Sequence, residues 1–165
     1  MYHLGTVSAS KLLDCQVDLA RGVRRAIEIT VQDFMVFEVL RELERQRLLV
    51  ASGASRTLDS FHLADKYGMS HATDLVPWIA GKPQWQNAPC IEVARAMHRA
   101  SKQFSLPVTW GGVWDKLLTE LDPEDLEGEI EEYVQRWRRK HLRPPGHIGY
   151  WGPLIDRPHF QVPRS

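Results

Sequence analysis

Cysteine is scarce in this sequence, with only Cys15 and Cys90 among 165 residues. Neither has a CxxC or CxxH neighbour, which excludes a zinc knuckle and a disulfide framework. Two buried thiols in helical stretches, in a reducing compartment, are expected instead. No run approaches the roughly 18–20 apolar residues of a membrane span. Net charge is also missing: Lys+Arg and Asp+Glu stand at 21 each, so nothing draws the chain generally to nucleic acid or to an anionic membrane. The opening MYHLGTVSASKLLDCQVDLA has no basic stretch followed by an apolar core, so no signal peptide is expected and folding is expected in a cytoplasm. A P-loop, a GxGxxG, a nucleophile elbow and an HExxH are all absent, and WGG at 110–112 is too short to cradle phosphate. Internal repeats are absent too, as is any linker that would mark a second domain.

What remains is the composition of an ordinary globular domain. With 43% hydrophobic and 25% charged residues, disorder is not expected. Leu19, Val23, Ala26, Ile27 and Thr30 recur at helical spacing, with Asp18 placed to cap them. FMVF at 34–37 reads as a buried strand, and a helix is predicted over about Leu40 to Val50. From Ala51 to Gln86 turn residues dominate, with a short strand near Ala72–Val76. Ile91, Ala94, Met97, His98 and Ser101 mark another amphipathic helix, and VTW at 108–110 a strand running into Gly111-Gly112. Asp122 and Pro123 read as the cap and first position of a helix reaching Arg143, with a stripe of Leu126, Ile130, Tyr133, Val134 and Trp137. Its acidic first half and basic end suit the helix dipole. A Pro/Gly-rich loop, RPPGHIGYWGP, and a final strand near HFQV close the chain.

The chemistry concentrates in histidines and aspartates outside the amphipathic faces. His3, His98, His141 and His147 have ordinary structural explanations: a terminus, a packed helical face, a helix C-terminus and a loop. His62, His71 and His159 each have an aspartate close by in a non-helical segment, Asp74 for the first two and Asp156 for the third. Zinc catalysis needs three protein ligands, an open position and a separate carboxylate to move a proton, and these residues meet that count. On spacing alone, capping aspartates and surface histidines explain the same residues.

Four stretches in order decide further: DFMVFEVLRELERQRLLVASGASRTLDSFH (33–62), HATDLVPW (71–78), WGG (110–112) and DRPHFQ (156–161). Together they resemble the zinc peptidases of the Hedgehog/D,D-peptidase fold, specifically phage endolysins that act as L-alanyl-D-glutamate endopeptidases. The resemblance implies an α+β fold with a small antiparallel sheet packed with helices, in one catalytic domain over 1–165, with no separate wall-binding module. It implies zinc on His62, Asp74 and His159, Asp156 as the catalytic carboxylate, Arg41 over the scissile carbonyl, and Gln46 and Ser60 as substrate contacts. His71 falls at a non-ligand position. In a regular strand Asp156 and His159 would face opposite ways, so a turn at Pro158 is required for both to reach one ion.

Several positions depart from the family pattern. Five extra residues separate His62 from Asp74, a loop whose closure costs little more than a shorter one. Phe61 stands for an arginine, Val39 for a glycine, Glu42 for a threonine and Val113 for an aspartate. A helical insert spans about 116–153. Function implied by the resemblance is hydrolysis of the L-Ala–D-Glu bond of the peptidoglycan stem by a monomer, held in the host cytoplasm until a holin opens the membrane. The alternatives are a D,D-carboxypeptidase or dipeptidase acting on D-Ala-D-Ala, and an inactive wall-binding protein of the same fold.

Overall fold

In the computed structural model, residues 1–143 and 152–164 are described. Helices and strands alternate as α1 Thr6–Lys11, α2 Val17–Ile29, β1 Phe34–Glu38, α3 Leu43–Ala51, β2 Ala72–Ile79, β3 Lys82–Pro83, α4 Asn87–Phe104, β4 Thr109–Trp110, β5 Val113–Leu117, α5 Leu126–Lys140 and β6 His159–Gln161. The strands form an antiparallel sheet in the order β1-β2-β6-β4-β5, with β3 paired to the end of β2. This is the α+β architecture expected from the sequence.

One face of the sheet is dry. Val36, Leu75, Phe160 and Trp110 are fully buried there, with Leu19, Val23 and Ala26 of α2 and Ala94, Met97 and Ala100 of α4 in the same core. Because strand side chains alternate, the neighbours of those residues, Asp74 and His159, point to the opposite face. That alternation separates core from chemistry.

Local chemistry moves several predicted boundaries. Helix α2 is capped by Gln16, whose side chain accepts from Leu19 N at 2.9 Å, so Asp18 lies in the first turn and not at the cap. Helix α3 starts at Leu43, later than predicted, because Arg41 N is tied to His62 O at 2.9 Å and Glu42 is extended. Helix α5 begins at Leu126 with Asp125 as cap, accepting from Gly128 N at 3.1 Å. Asp122 instead closes the turn before it, accepting from Glu124 N at 2.9 Å. Cys15 is not helical: it follows a 3-10 turn and bridges to Ser70, while Cys90 does lie in α4. Both thiols are buried, and burial pushes Cys15 up to about 12 and Cys90 to about 11.

The helix of the predicted insert belongs to the core. Ile130 and Tyr133 of α5 are buried, and Arg136 grips Asp115 of β5 with two bonds of 2.9 and 3.0 Å. Of the Pro/Gly-rich loop, residues 144–151, His147 among them, lie outside the described residues. Among the described residues, no helix is long and apolar enough to cross a membrane.

Candidate metal centre

Three ligand-type atoms meet on the polar face of the sheet. Asp74 on β2 stands in register with His159 on β6 and with Glu38 on β1. His62 arrives from the loop after α3. Its Nε2 lies 3.2 Å from Asp74 Oδ1, His159 Nδ1 lies 3.1 Å from the same oxygen, and the two ring nitrogens are 3.2 Å apart. A tetrahedral ion with bonds of about 2.0–2.1 Å requires ligand atoms about 3.3 Å from one another.

The outer bonds of the two rings set which nitrogens face inward. His62 Nδ1 donates to Val39 O at 2.7 Å, which leaves the lone pair on Nε2. His159 Nε2 donates to Gln161 Oε1 at 3.0 Å, which leaves the lone pair on Nδ1. Two imidazole nitrogens and a carboxylate oxygen therefore converge at ligand distance, where a metal ion, or a proton shared with Asp74, relieves the repulsion between them. The carboxyl groups carry the same demand. Burial pushes Asp74 up, yet bonds from His159 and His62 overcome it and hold it well below the usual carboxylate range. The donor set fits a divalent metal.

The loop that separates His62 from Asp74 does return. His62 N donates to Ser60 Oγ at 3.3 Å and Leu63 N to Ser60 O at 3.0 Å, a turn that drives the His62 ring inward. Further along, Asp65 accepts from Tyr67 N at 2.8 Å and Met69 N at 2.9 Å, and its other oxygen meets His71 Nε2 at 2.9 Å. The His71 bond first, and the Met69 amide next, hold Asp65 down at about 2. His71 Nδ1 faces Pro163 O at 3.0 Å, so both its ring nitrogens are engaged away from the ion-sized gap.

Asp156 and His159 converge through a turn, as the spacing requires. His159 N bonds to Asp156 O at 3.1 Å, Asp156 N to Gly111 O at 2.8 Å, and Gly111 N to His159 O at 2.9 Å. Trp110 Nε1 fastens Arg157 O at 2.7 Å. A Cβ on Gly111 would lie 2.1 Å from Asp156 O, so glycine is required by close approach of backbone. Burial raises Asp156 above the ordinary carboxylate range; His159 opposes the shift and Asp74 adds to it.

Arg41 is aimed by a frame of partners. Its guanidinium pairs with Glu38, donates to Gln46 Oε1 at 2.7 Å, and lies 4.0 Å from Asp74 Oδ2, while its Nε is buried without a partner. Gln46 is fully buried and spends its NH2 on Ser55 Oγ at 2.9 Å and Thr57 O at 2.6 Å. Ser60 lines the cleft and forms the turn before His62. Arg41, His62, Asp74, Asp156 and His159 share that cleft, about 430 Å³ in volume.

Two cleft residues had not been singled out. Glu38 sits after a bulge between Val36 and Glu38, which turns its carboxylate onto the site face. Its neighbour Arg41 was the visible signal. Trp114 lies tilted against the His159 ring, 5.2 Å away at 40°, and donates to Leu154 O at 3.0 Å. Its position four residues after Trp110 in WGGVW was the available clue. Phe61, in place of an arginine, has the Arg164 guanidinium 4.6 Å over its ring, so a cation returns there from the far end of the chain.

Comparison with known proteins adds three likenesses. The family model for phage L-alanyl-D-glutamate peptidases matches residues 1–131. The L-alanyl-D-glutamate peptidase of Escherichia phage T5 is 25% identical over 115 residues, 69% of this chain and 82% of that protein. The crystal structure of the Serratia marcescens L-Ala D-Glu endopeptidase ChiX aligns with a TM-score of 0.67 at 28% identity, over 97% of this chain and 90% of that one. The family match ends before Asp156 and His159, whereas the structural likeness spans nearly the whole chain.

Proposed function

The chain belongs to the family of phage L-alanyl-D-glutamate peptidases, and on that premise we propose how it cuts the L-Ala–D-Glu bond of the peptidoglycan stem. His62, Asp74 and His159 would hold one zinc ion, two imidazoles and a carboxylate being a ligand set that zinc favours. Zinc bound there supplies a Lewis acid and lowers the pKa of water toward about 7. The observation that carries this reading is the convergence of three lone pairs at 3.1–3.2 Å.

The chain's own residues do the rest. Asp156, outside the ligand set and raised by burial, accepts the proton of the attacking water and returns it to the leaving D-Glu amine. Arg41, fixed by Glu38 and Gln46, presents its guanidinium to the oxygen of the scissile carbonyl as negative charge develops. Trp114 shields one side of His159 from water. Ser60 lines the cleft and holds His62, whereas Gln46, fully buried and outside the cleft lining, acts by holding Arg41 and not as a substrate contact.

As an endolysin, the enzyme works through a monomeric catalytic domain, and reaches the wall from the host cytoplasm once a holin opens the membrane. Mass spectrometry of digested peptidoglycan tests the bond. New D-Glu amino termini are expected; release of free D-Ala alone would replace this reading with a D,D-carboxypeptidase.

A further inference from the structure

Asp74 and Asp156 form a divide with a cavity on each side. The first is the cleft just described. The second, about 260 Å³, is lined by Phe37, Val76, Trp85, Ile155 and Pro158, with Asn87 and Arg157 as polar members, and shares Asp74 and Asp156 with the first. Strand geometry explains its apolar wall. Asp74, Val76 and Trp78 alternate along the site face of β2, Met35 stands opposite Val76, and Phe37, two residues on from Met35, shares its face. Gln84 N donates to Pro77 O at 2.9 Å and brings Trp85 back beside β2. There its ring meets Phe37 edge-on at 5.4 Å and 84°, and it remains 54% exposed. An exposed tryptophan propped on a second aromatic, at the rim of a reaction site, is a platform and not a piece of core.

The two cavities differ in the cations they offer. In the first, Glu38 engages Arg41 and Arg45, Asp59 adds a carboxylate, and Arg56 has no carboxylate partner among the described residues; in the second the one arginine is Arg157. The bond assigned above joins two unlike arms. On its amine side, D-Glu carries a free carboxylate next to the scissile nitrogen and leads into the anionic stem. On its acyl side, L-Ala leads through a lactyl amide to an uncharged N-acetylated amino sugar.

We propose that the Phe37–Trp85 cavity is the glycan-side subsite, taking the sugar and its lactyl-L-alanyl arm, while the arginine-lined cleft takes the D-Glu arm. The C–H face of the sugar ring rests on the Trp85 indole, and Asn87 and Arg157 offer N–H donors to the acetamido and lactyl carbonyl oxygens. The assignment rests on the peptidase reading.

The test compares kcat/KM for two substrates: a muramyl peptide carrying the sugar, and the same peptide beginning at L-Ala. The wild type is expected to prefer the sugar-bearing substrate, and Trp85→Ala to collapse that ratio by about tenfold, equivalent to about 1.4 kcal/mol. Trp85→Phe should retain part of the preference. Arg56→Ala should lower kcat/KM on both substrates and keep their ratio. A wild type without preference, or a Trp85→Ala variant that keeps it with its metal bound, overturns the proposal. If Trp85→Ala instead discriminates between peptides that differ beyond D-Glu, the arms are reversed and the assignment is wrong. A wild type that cleaves neither substrate removes the peptidase reading itself.

Discussion

Gly111→Ala probes the joint on which the site depends. The new Cβ would lie 2.1 Å from Asp156 O and 2.9 Å from its carbonyl carbon, both backbone atoms that no rotamer change can move. An ordinary contact needs about 3.5 Å, so the two backbones must part by about 1.4 Å. Parting them strains Asp156 N to Gly111 O (2.8 Å) and Gly111 N to His159 O (2.9 Å). Overpacking costs about 1–3 kcal/mol and each weakened bond about 0.5–1.5, so a loss of about 3 kcal/mol is expected. The same displacement moves His159 off its ligand position, and metal affinity should fall by about 10–100-fold. Gly53→Ala is the control: φ is +75° with nothing within 4 Å, so about 1 kcal/mol of backbone strain is expected and no change in metal binding. Urea unfolding and a competitive zinc titration read both quantities. Wild-type stability and affinity in Gly111→Ala would refute the claim that the β4–β6 joint places Asp156 and His159.

Gln46→Ala should leave Arg41 Nη1 without its acceptor and the Ser55 and Thr57 oxygens without their donor, costing about 1–3 kcal/mol and lowering kcat while the metal stays bound. Urea titration, steady-state kinetics and metal content on one sample check it; loss of the metal would contradict it. Asp65, with its folded pKa lowered to about 2, stabilises the fold above the unfolded value of about 3.9 and ceases to do so as pH falls through 2. The stability gap between the wild type and Asp65→Asn should therefore be full above about pH 5 and shrink toward pH 2; a gap that is flat over that range would contradict it.

Legibility followed the range of the interaction. The apolar periodicities of α2, α4 and α5 and the strand at Phe34–Phe37 could be read because each depends on a few neighbouring residues, although Phe37, expected buried, is exposed on the site face. Caps were misplaced at Asp18 and Asp122 because Gln16 and Asp125 compete for the same free N–H groups. Strand β5 carried no turn signal of its own and is fixed by pairing with β4 and by Arg136 on Asp115. For the candidate site, the ordered motifs named residues that the fold gathers in one cleft from β2, β6 and three loops, with Gln46 of α3 behind Arg41. What they did not carry was geometry: the bulge that turns Glu38, the Asp65–His71 bond that takes His71 out of the ring of ligands, and the approach of Arg164 to Phe61. Each joins residues whose meeting depends on the completed sheet.

The account stands or falls on which side chains hold the metal. Zinc content per chain, measured after loading and exhaustive dialysis, tests it most directly. One ion per chain is expected in the wild type and in Asp156→Ala, the latter without hydrolytic activity. His62→Ala, Asp74→Ala and His159→Ala should each lose the ion, and His71→Ala should keep it. An ion absent from the wild type, or lost with His71 and retained without His62, would contradict the assignment.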